Sequence, residues 1–554
     1  MKLVNHILSL LVLLFCSCSI TNAAVWQWSV EIKSVVSPET NKHPRAFLWI
    51  PPDCHQIRGV VVGQHNMLEE GILEHPIFRK EMASLGFAEV WVTPGFDLIF
   101  DFENGAGVHF NEMLESLAEV SGYKELAFAP VVPIGHSAAA SYPWNFAAWD
   151  PDRTLAILSV KGDAPLTNLT GSGRPNPEWS GRTIEGIPGL MVIGEYEWMK
   201  ERVTPAMKYR NHHPLAPVSL LVDAGHGHFD FSDDLVKYLA IFVRKAAAAR
   251  LPEEMPLNEA ASLKSVDPKK GWLADGWRKD SLPQAAAAPY QKYLGNPEQA
   301  FWYFDKEMAL KTENHYAKVR DKKPQLLGFV QEENILPQSK SHQQINLKFI
   351  PLRDGISFKI KATFLDSVPG GNSNPSKWTK LPTGTPIGHA KGPITISRIT
   401  GPVVQTGNDT FAIQFYRMGM DNSKRSNDIW LLASHPGDSQ YKSAVQQAQL
   451  KFPLKNTGGA EQQIRFPAIP DQQTGKIEDS SISLKAISDA GLPVQYYVLE
   501  GPAVIEGSKL RFTQIPPRAK FPVKVTVVAW QYGRSITPKI QSAAPVEQQF
   551  YIRK

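Results

Sequence analysis

The stretch Val131-Val132-Pro133-Ile134-Gly135-His136-Ser137-Ala138-Ala139-Ala140 decides how the rest of this chain is interpreted. An apolar run rich in β-branched residues leads to Gly135, a serine follows two residues later, and alanines that favour a helix come next. The pattern predicts a strand, a sharp turn at Ser137 and a helix. The small residues Gly135 and Ala139 let the strand and helix backbones pass closely. A serine on such a turn projects its hydroxyl above the sheet.

From residue 25 to residue 250, short apolar strands alternate with amphipathic helices. The strands are predicted at residues 26–36, 45–50, 59–63, 88–92, 131–135, 154–160, 189–194 and 217–224. The closing helix, residues 233–250, places Leu235, Leu239, Phe242 and Val243 on one face. Strands alternating with helices indicate an α/β unit whose mostly parallel sheet is covered on both sides.

A carboxylate and a histidine follow later strands of the same unit. Glu197 comes just after the strand at residues 189–194, with Asp163 as the main alternative. The glycine-rich segment after the last strand holds two histidines, and we expect His226 rather than His228 to be the base, because a loop before a closing helix needs several residues. A carboxylate holds a histidine in one tautomer, and that histidine can then take a proton from a serine.

The order serine, acid, histidine, each after a strand of one alternating unit, resembles the α/β-hydrolase superfamily, and serine esterases in particular. The resemblance covers roughly residues 25–250 and implies a carboxylic ester hydrolase with the triad Ser137, Glu197 and His226. It also implies an oxyanion hole. One donor would be the backbone N–H of Ala138. The other would come from the loop after residues 59–63, where we choose Asn66.

The remaining half of the chain changes character. Residues 266–340 are predicted to be a linker that wraps the hydrolase unit (residues 24–265), with one short helix at residues 298–311. From residue 341 alternation of period two dominates, as in residues 356–364, which predicts a β-sandwich over residues 341–457. Short strands at regular spacing then predict an immunoglobulin-like sandwich over residues 458–554. The fold class is therefore multidomain, α/β followed by all-β.

The first 23 residues have a basic start, an apolar run of about ten residues and small residues near Ala23, which is typical of an export signal. We therefore expect a secreted or periplasmic protein without a transmembrane helix after signal removal, with lipid attachment at Cys18 as the alternative. The net charge of +5 over mixed acids and bases does not indicate nucleic-acid binding. The sequence predicts no metal site and no cofactor.

Specificity is expected in the loops above the sheet, residues 96–107 and 165–187. The second loop is polar and irregular, unlike an apolar lipase lid, and contains Trp179, a candidate for stacking on a sugar ring. His65 is a second candidate substrate contact. We therefore expect an exported carboxylesterase acting on esters carried by polysaccharides. The alternatives are a polyester, small acyl-ester or peptide hydrolase of the same fold, or a non-catalytic scaffold whose sandwiches bind carbohydrate or a surface.

Overall fold

The structure, a computed structural model, describes residues 25–97, 99–169, 175–340, 343–372, 374–477 and 480–554. The predicted export signal and Cys18 lie outside these ranges. No helix within the ranges is long and apolar enough to cross a membrane.

One eight-stranded sheet organises the N-terminal unit. Its strands are β1 (Trp28–Glu31), β2 (Arg45–Trp49), β3 (Gly59–Gln64), β4 (Phe87–Thr93), β5 (Val131–His136), β6 (Ile157–Val160), β7 (Gly189–Gly194) and β8 (Val218–Asp223). Their order across the sheet is β1-β2-β4-β3-β5-β6-β7-β8. The pairs from β4–β3 through β7–β8 are parallel, whereas β1–β2 and β2–β4 are antiparallel. All residues of β3 to β8 are buried, as expected for parallel strands covered on both faces.

Six helices cover the two faces of this sheet. They are α1 (Glu69–Leu73), α2 (Pro76–Leu85), α3 (Gly107–Ser121), α4 (Tyr142–Trp149), α5 (Lys200–His212) and α6 (Asp233–Arg250). Helix α6 begins where the Ser232 side chain accepts a hydrogen bond from the N–H of Leu235. Its predicted apolar face is buried in the core shared with α2, while α3 packs into a second core on the other side of the sheet.

The segment after α6 is more ordered than a linker. It contains β9 (Trp272–Asp275), β10 (Ala288–Pro289), β11 (Ala300–Tyr303) and α7 (Lys306–Ala317), with strand order β10-β9-β11. The hydroxyl of Tyr303 donates to the carbonyl of Leu220 in β8 at 2.6 Å, so the segment is fastened to the main sheet. The helix predicted over residues 298–311 is wrong in its first half, because residues 300–303 pair with β9 instead.

The middle domain is built from three small sheets. Its elements are β12 (Leu327–Gln331), β13 (Asn334–Ile335), β14 (Ile345–Lys348), β15 (Ser357–Lys359), β16 (Lys361–Phe364), α8 (Asn374–Thr379), β17 (Thr395–Thr400), β18 (Val403–Gln405), β19 (Thr410–Ile413), β20 (Asp428–His435) and β21 (Ala444–Lys451). The sheets have the orders β13-β12-β16, β14-β21-β20-β17 and β15-β19-β18. Because β12 pairs with β16, the predicted boundary at residue 341 separates strands of one sheet.

The last domain combines a four-stranded and a three-stranded sheet with one two-stranded pair. Its elements are β22 (Ile464–Arg465), β23 (Gln472–Gln473), α9 (Thr474–Ile477), β24 (Ser481–Ser483), β25 (Ile487–Ser488), β26 (Gln495–Glu500), β27 (Ala503–Glu506), β28 (Lys509–Phe512), β29 (Val523–Trp530) and β30 (Val546–Arg553). The orders are β23-β30-β29-β26, β24-β28-β27 and β22-β25. The predicted fold class, α/β followed by all-β, is confirmed; the immunoglobulin-like topology stays a prediction.

The two β domains pack against different sides of the N-terminal unit. The middle domain meets the carboxyl edge of the parallel strands, where Arg417 lies 2.8 Å from Glu70 and Trp430 stacks on Phe229. The last domain shares the apolar core of α3, and Arg518 contacts Glu125 at 2.7 Å. The middle domain therefore lies beside the loops in which the sequence predicts the functional residues.

Candidate active site

Ser137 lies at the sharp turn that the sequence predicts between β5 and the following helical turn. Its φ angle is 52°, in the left-handed region that non-glycine residues rarely occupy. A Cβ atom at Gly135 would lie 1.9 Å from the carbonyl oxygen of Ala139. The same turn also packs closely against the loop after β6, since a Cβ at Gly162 in that loop would lie 1.8 Å from the Cβ of Ala140. Small residues are therefore a steric requirement of this turn.

The serine meets a histidine that follows β8. Nε2 of His228 lies 2.7 Å from Oγ of Ser137, a distance at which a proton can pass between them. Nδ1 of the same ring is hydrogen-bonded to Oε2 of Glu197, which follows β7. Side chains from the ends of β5, β7 and β8 thus form one continuous chain of hydrogen bonds.

The expectation that His226 is the partner of Ser137 is wrong, and the alternative His228 takes that position. The chain turns immediately after β8, with the N–H of His226 donating to the carbonyl of Asp223 and Gly225 at a φ of 77°. This turn keeps His226 away from Ser137 and places its Nδ1 2.5 Å from Oδ2 of Asp230. Two more residues are needed before the chain reaches the serine.

Glu197, the acid chosen from the sequence, is hydrogen-bonded to His228 rather than to the expected His226. Its Oε1 accepts the backbone N–H of Gly194 at 2.8 Å, and its Oε2 also accepts Nη1 of Arg202 at 2.6 Å. Burial opposes ionisation, but His228 and Arg202 outweigh it and hold the pKa of Glu197 well below its usual range. The alternative acid, Asp163, is buried one loop away, where its backbone carbonyl accepts the indole N–H of Trp144.

The choice of Asn66 as a backbone oxyanion donor is wrong. The buried carboxylate of Glu69, three residues further on, accepts the N–H groups of Asn66 at 3.2 Å and Met67 at 3.0 Å. Its other oxygen accepts the N–H of His136 at 2.7 Å, so Glu69 ties this loop to the end of β5. Burial raises the pKa of Glu69 to about 7. Asn66 instead uses its side-chain amide, which donates to the carbonyl of His136 at 2.7 Å.

Ala138 lies in the short 3₁₀ turn Ser137–Ala139 that directly follows β5, and it is exposed. This is the position from which a backbone N–H would face the oxygen of a carbonyl attacked by Ser137. Its role as an oxyanion donor stays a prediction.

Neither predicted substrate contact faces open solvent. His65 is buried against Trp91, and its Nδ1 lies 2.9 Å from Oγ1 of Thr93. Burial, followed by two nearby arginines, lowers the pKa of His65 well below its ordinary value. Trp179 is also buried, and its indole N–H donates to Oδ1 of Asn145 at 2.9 Å. These contacts hold both rings inside the fold, and their assignment to substrate contact stays a prediction.

The segment between β8 and α6, residues 224–232, carries His226 and His228 and is called the histidine loop below. The sequence analysis missed a buried cation that lies beneath this loop. Lys161, directly after β6, donates to the carbonyl of Gly227 at 2.7 Å and lies 2.7 Å from Oδ2 of Asp223 and 3.4 Å from Oδ1 of Asp230. Ligand-type atoms of Asp223, His226 and Asp230 lie within 4.8 Å of one another, which is compact enough for a metal ion. The positive charge between the two carboxylates in this structure is the ammonium group of Lys161.

The middle domain also contacts the loops of the site. The hydroxyl of Tyr196, next to Glu197, donates to the carbonyl of Ser443 at 2.7 Å. Oγ of Ser443 donates to the carbonyl of Gly225 at 3.1 Å. Arg425 donates to the carbonyl of Asn66 at 3.1 Å. These contacts join residues far apart in sequence, and we find no sequence signal that could have revealed them.

The strand order and the positions of Ser137, Glu197 and His228 after β5, β7 and β8 are those of the α/β-hydrolase fold, so the N-terminal part of the chain has this fold. Neither a family model nor a curated protein matches the sequence.

Solved structures that match part of the chain include a fluorophosphonate-binding serine hydrolase of Staphylococcus aureus, with 12% identity over 40% of this chain and 98% of that chain at a TM-score of 0.29. An S-formylglutathione hydrolase from Agrobacterium tumefaciens matches with 13% identity over 40% and 94% at a TM-score of 0.30. An esterase from Pyrobaculum calidifontis matches with 14% identity over 42% and 88% at a TM-score of 0.30. Structural similarities with such low identities and TM-scores give no information about the activity of this chain.

Proposed function

We propose that this chain is an exported serine carboxylesterase that works through Ser137, His228 and Glu197. The observation that carries the proposal is the position of His228, whose ring lies between Oγ of Ser137 and the carboxylate of Glu197. This arrangement has the geometry that serine hydrolases require of a nucleophile, its base and the group that orients the base.

In the proposed reaction Oγ of Ser137 attacks the ester carbonyl carbon while Nε2 of His228 takes the hydroxyl proton. Glu197 stabilises the imidazolium through Nδ1. Collapse of the tetrahedral intermediate breaks the bond to the alcohol oxygen, which receives the proton from His228. A water molecule, deprotonated by the same nitrogen, then releases the acid and restores the serine. The N–H of Ala138 is the proposed donor to the oxyanion.

Ester groups carried by polysaccharides are the substrate class that we propose first. The support comes from the export-like N-terminus and from the two β domains attached to the hydrolase unit. The stacking argument from Trp179 no longer contributes, because that side chain is buried. Polyesters, small acyl esters and peptides are the competing substrates of the same triad.

The first experiment measures hydrolysis of 4-nitrophenyl acetate by the purified chain and labelling of Ser137 by a fluorophosphonate. We expect Ser137→Ala to abolish both, and His228→Asn to lower kcat/KM by about 10⁴-fold or more, because the base is lost. His226→Asn is the matched control in the same loop and should retain most of the activity. Loss of activity in the His226 variant with retention in the His228 variant would contradict the assignment.

The second experiment offers acetylated, feruloylated and methyl-esterified polysaccharides to the wild-type chain and to Ser137→Ala. Release of the acid or alcohol by the wild type alone supports the polysaccharide proposal. Turnover confined to aryl or alkyl esters favours the competing substrates. Glycan retention by both proteins, with no ester hydrolysis by either, would favour a non-catalytic scaffold.

A further inference from the structure

An arginine shares the carboxylate oxygen that orients His228. Arg202, in the first turn of α5, is buried with only 3% of its side chain exposed, and its Nη1 lies 2.6 Å from Oε2 of Glu197. The same oxygen accepts Nδ1 of His228. The triad carboxylate is therefore placed between two cationic partners once His228 takes a proton.

The second arm of this guanidinium is bound to a different loop. Nη2 of Arg202 donates to the carbonyl of Gly162 at 2.8 Å. Gly162 follows β6 and packs directly against Ala140 in the turn after Ser137. One rigid, planar group thus connects the acid after β7 to the loop that supports the serine turn.

We propose that Arg202 is a positioning residue of the esterase reaction, acting through Glu197: it fixes the carboxylate opposite His228 and limits how strongly that carboxylate favours the imidazolium. The inference rests on the proposed function. Two bonds to Glu197, from Gly194 and Arg202, leave the carboxylate little freedom to rotate away from the histidine. The cation on the same oxygen also repels a second positive charge on His228.

Other charged groups lie near His228 and Glu197 and also influence how the reaction depends on pH. Lys161, at the end of β6, lies beneath the histidine loop and binds the carbonyl of Gly227. His136, at the end of β5, is buried, and its Nε2 donates to the carbonyl of His228 at 2.9 Å. The pair of His226 and Asp230 lies in the histidine loop itself. None of these groups contacts Oε2 of Glu197 in the described part of the chain, so Arg202 is the cation whose removal acts on that oxygen directly.

The test compares Arg202→Met, which removes the charge, with Arg202→Lys, which keeps the charge but not the planar two-armed contact. Lys208→Met, an exposed change on the same helix, is the control. For Arg202→Met we expect kcat to fall about tenfold or more with little change in KM, since a misplaced catalytic group costs rate rather than binding. The acidic limb of the kcat/KM profile should move to higher pH by about one unit. Arg202→Lys should keep the limb in place and recover part of kcat.

A substrate-free readout separates this inference from the proposed function. The downfield proton resonance of the hydrogen bond between His228 and Glu197 can be titrated by NMR in the wild type and both variants. Its titration midpoint should rise in Arg202→Met and stay near the wild-type value in Arg202→Lys. An unchanged midpoint and limb in Arg202→Met, with only a lower melting temperature, would show a merely structural role and overturn the inference. A wild-type chain that hydrolyses no ester would overturn the proposed function, while the NMR shift would still report on Arg202. If Arg202→Met does not fold, an acidic limb displaced in Arg202→Lys overturns the inference.

Discussion

Replacing Lys442 by methionine should strongly destabilise the contact between the hydrolase unit and the middle domain. Nζ of Lys442 lies 2.9 Å from Oε1 of Glu195 and 2.6 Å from Oδ1 of Asp280, and its side chain is 5% exposed. Glu195 is almost fully buried, and its other oxygen accepts the N–H of Gly225 at 2.8 Å. Without the lysine, Glu195 keeps one hydrogen bond and loses its counter-charge.

Leaving one member of a buried ion pair uncompensated typically costs about 3–5 kcal/mol. Asp280 adds little to this figure, because it is 27% exposed and can be hydrated. Burial opposes the charge on Lys442, but Glu195 and Asp280 outweigh it and raise the lysine pKa above its ordinary value. A raised lysine pKa stabilises the folded chain at all pH values below the unfolded pKa, and the contribution is lost only as the pH rises through the folded pKa. The full effect is therefore expected at neutral pH.

The assay is urea unfolding at pH 7, followed by tryptophan fluorescence and by residual esterase activity, because a chain of several domains need not unfold in one step. Activity should be lost in the same transition, since Glu195 holds the start of the loop that carries His228. Lys451→Met is the control, because Lys451 is 57% exposed and 4.0 Å from Asp428, and it should change stability by less than about 0.5 kcal/mol.

A double-mutant cycle gives the decisive result. Glu195→Gln combined with Lys442→Met removes both charges. The double variant should therefore be more stable than the Lys442→Met variant by about 2 kcal/mol. A Lys442→Met variant within 1 kcal/mol of the wild type, or a double variant no better than the single one, would refute the reasoning.

Two further predictions concern the serine turn and the loop next to it. Gly135→Ala forces a Cβ into the carbonyl of Ala139, so fluorophosphonate labelling of Ser137 should fall about 100-fold, while Gly458→Ala, which meets no atom within 4 Å, should label normally. Equal labelling of both variants would contradict the steric argument. Burial raises the pKa of Glu69 to about 7, so its contribution to stability is full below its unfolded pKa of about 4.3 and is lost as the pH rises through 7, a change of roughly 4 kcal/mol. Glu69→Gln should remove that loss, which unfolding measured between pH 5 and 8 would reveal as a flatter profile.

The parts of the site that follow from strand ends could be predicted from the sequence. Gly135 and Ala139 marked the turn at Ser137, and the alternation of strands and helices implied that Glu197 would lie at the same edge of the sheet. The choice between His226 and His228 could not be settled in this way, because it depends on a turn that begins immediately after Asp223. Counting loop residues gives a length but not the direction in which each side chain leaves the loop.

Errors elsewhere arise from contacts that a residue-by-residue pattern does not show, whether the partner is near or far in sequence. Asn66 was chosen as an oxyanion donor without allowing for Glu69, whose carboxylate folds back onto the same N–H groups. Phe301, Phe304 and Met308 are spaced as on one face of a helix. Residues 300–303 nevertheless form a strand, because β9 provides a pairing partner and apolar residues cover the pair. A local sequence pattern does not show which other group will hydrogen-bond to a residue or pack against it.

The middle domain contributes to the site although it supplies no member of the triad. Its contacts fall on residues adjacent to functional ones: Ser443 binds Tyr196 beside Glu197, Arg425 binds Asn66, and Trp430 stacks on Phe229 beside His228. Two buried carboxylates of the hydrolase unit, Glu70 and Glu195, also find their cations in this domain. A hydrolase unit ending at residue 265 would leave both carboxylates without a counter-charge. The sequence suggested the sandwiches as modules that bind carbohydrate or a surface, whereas these contacts make the middle domain a structural part of the wall of the candidate active site.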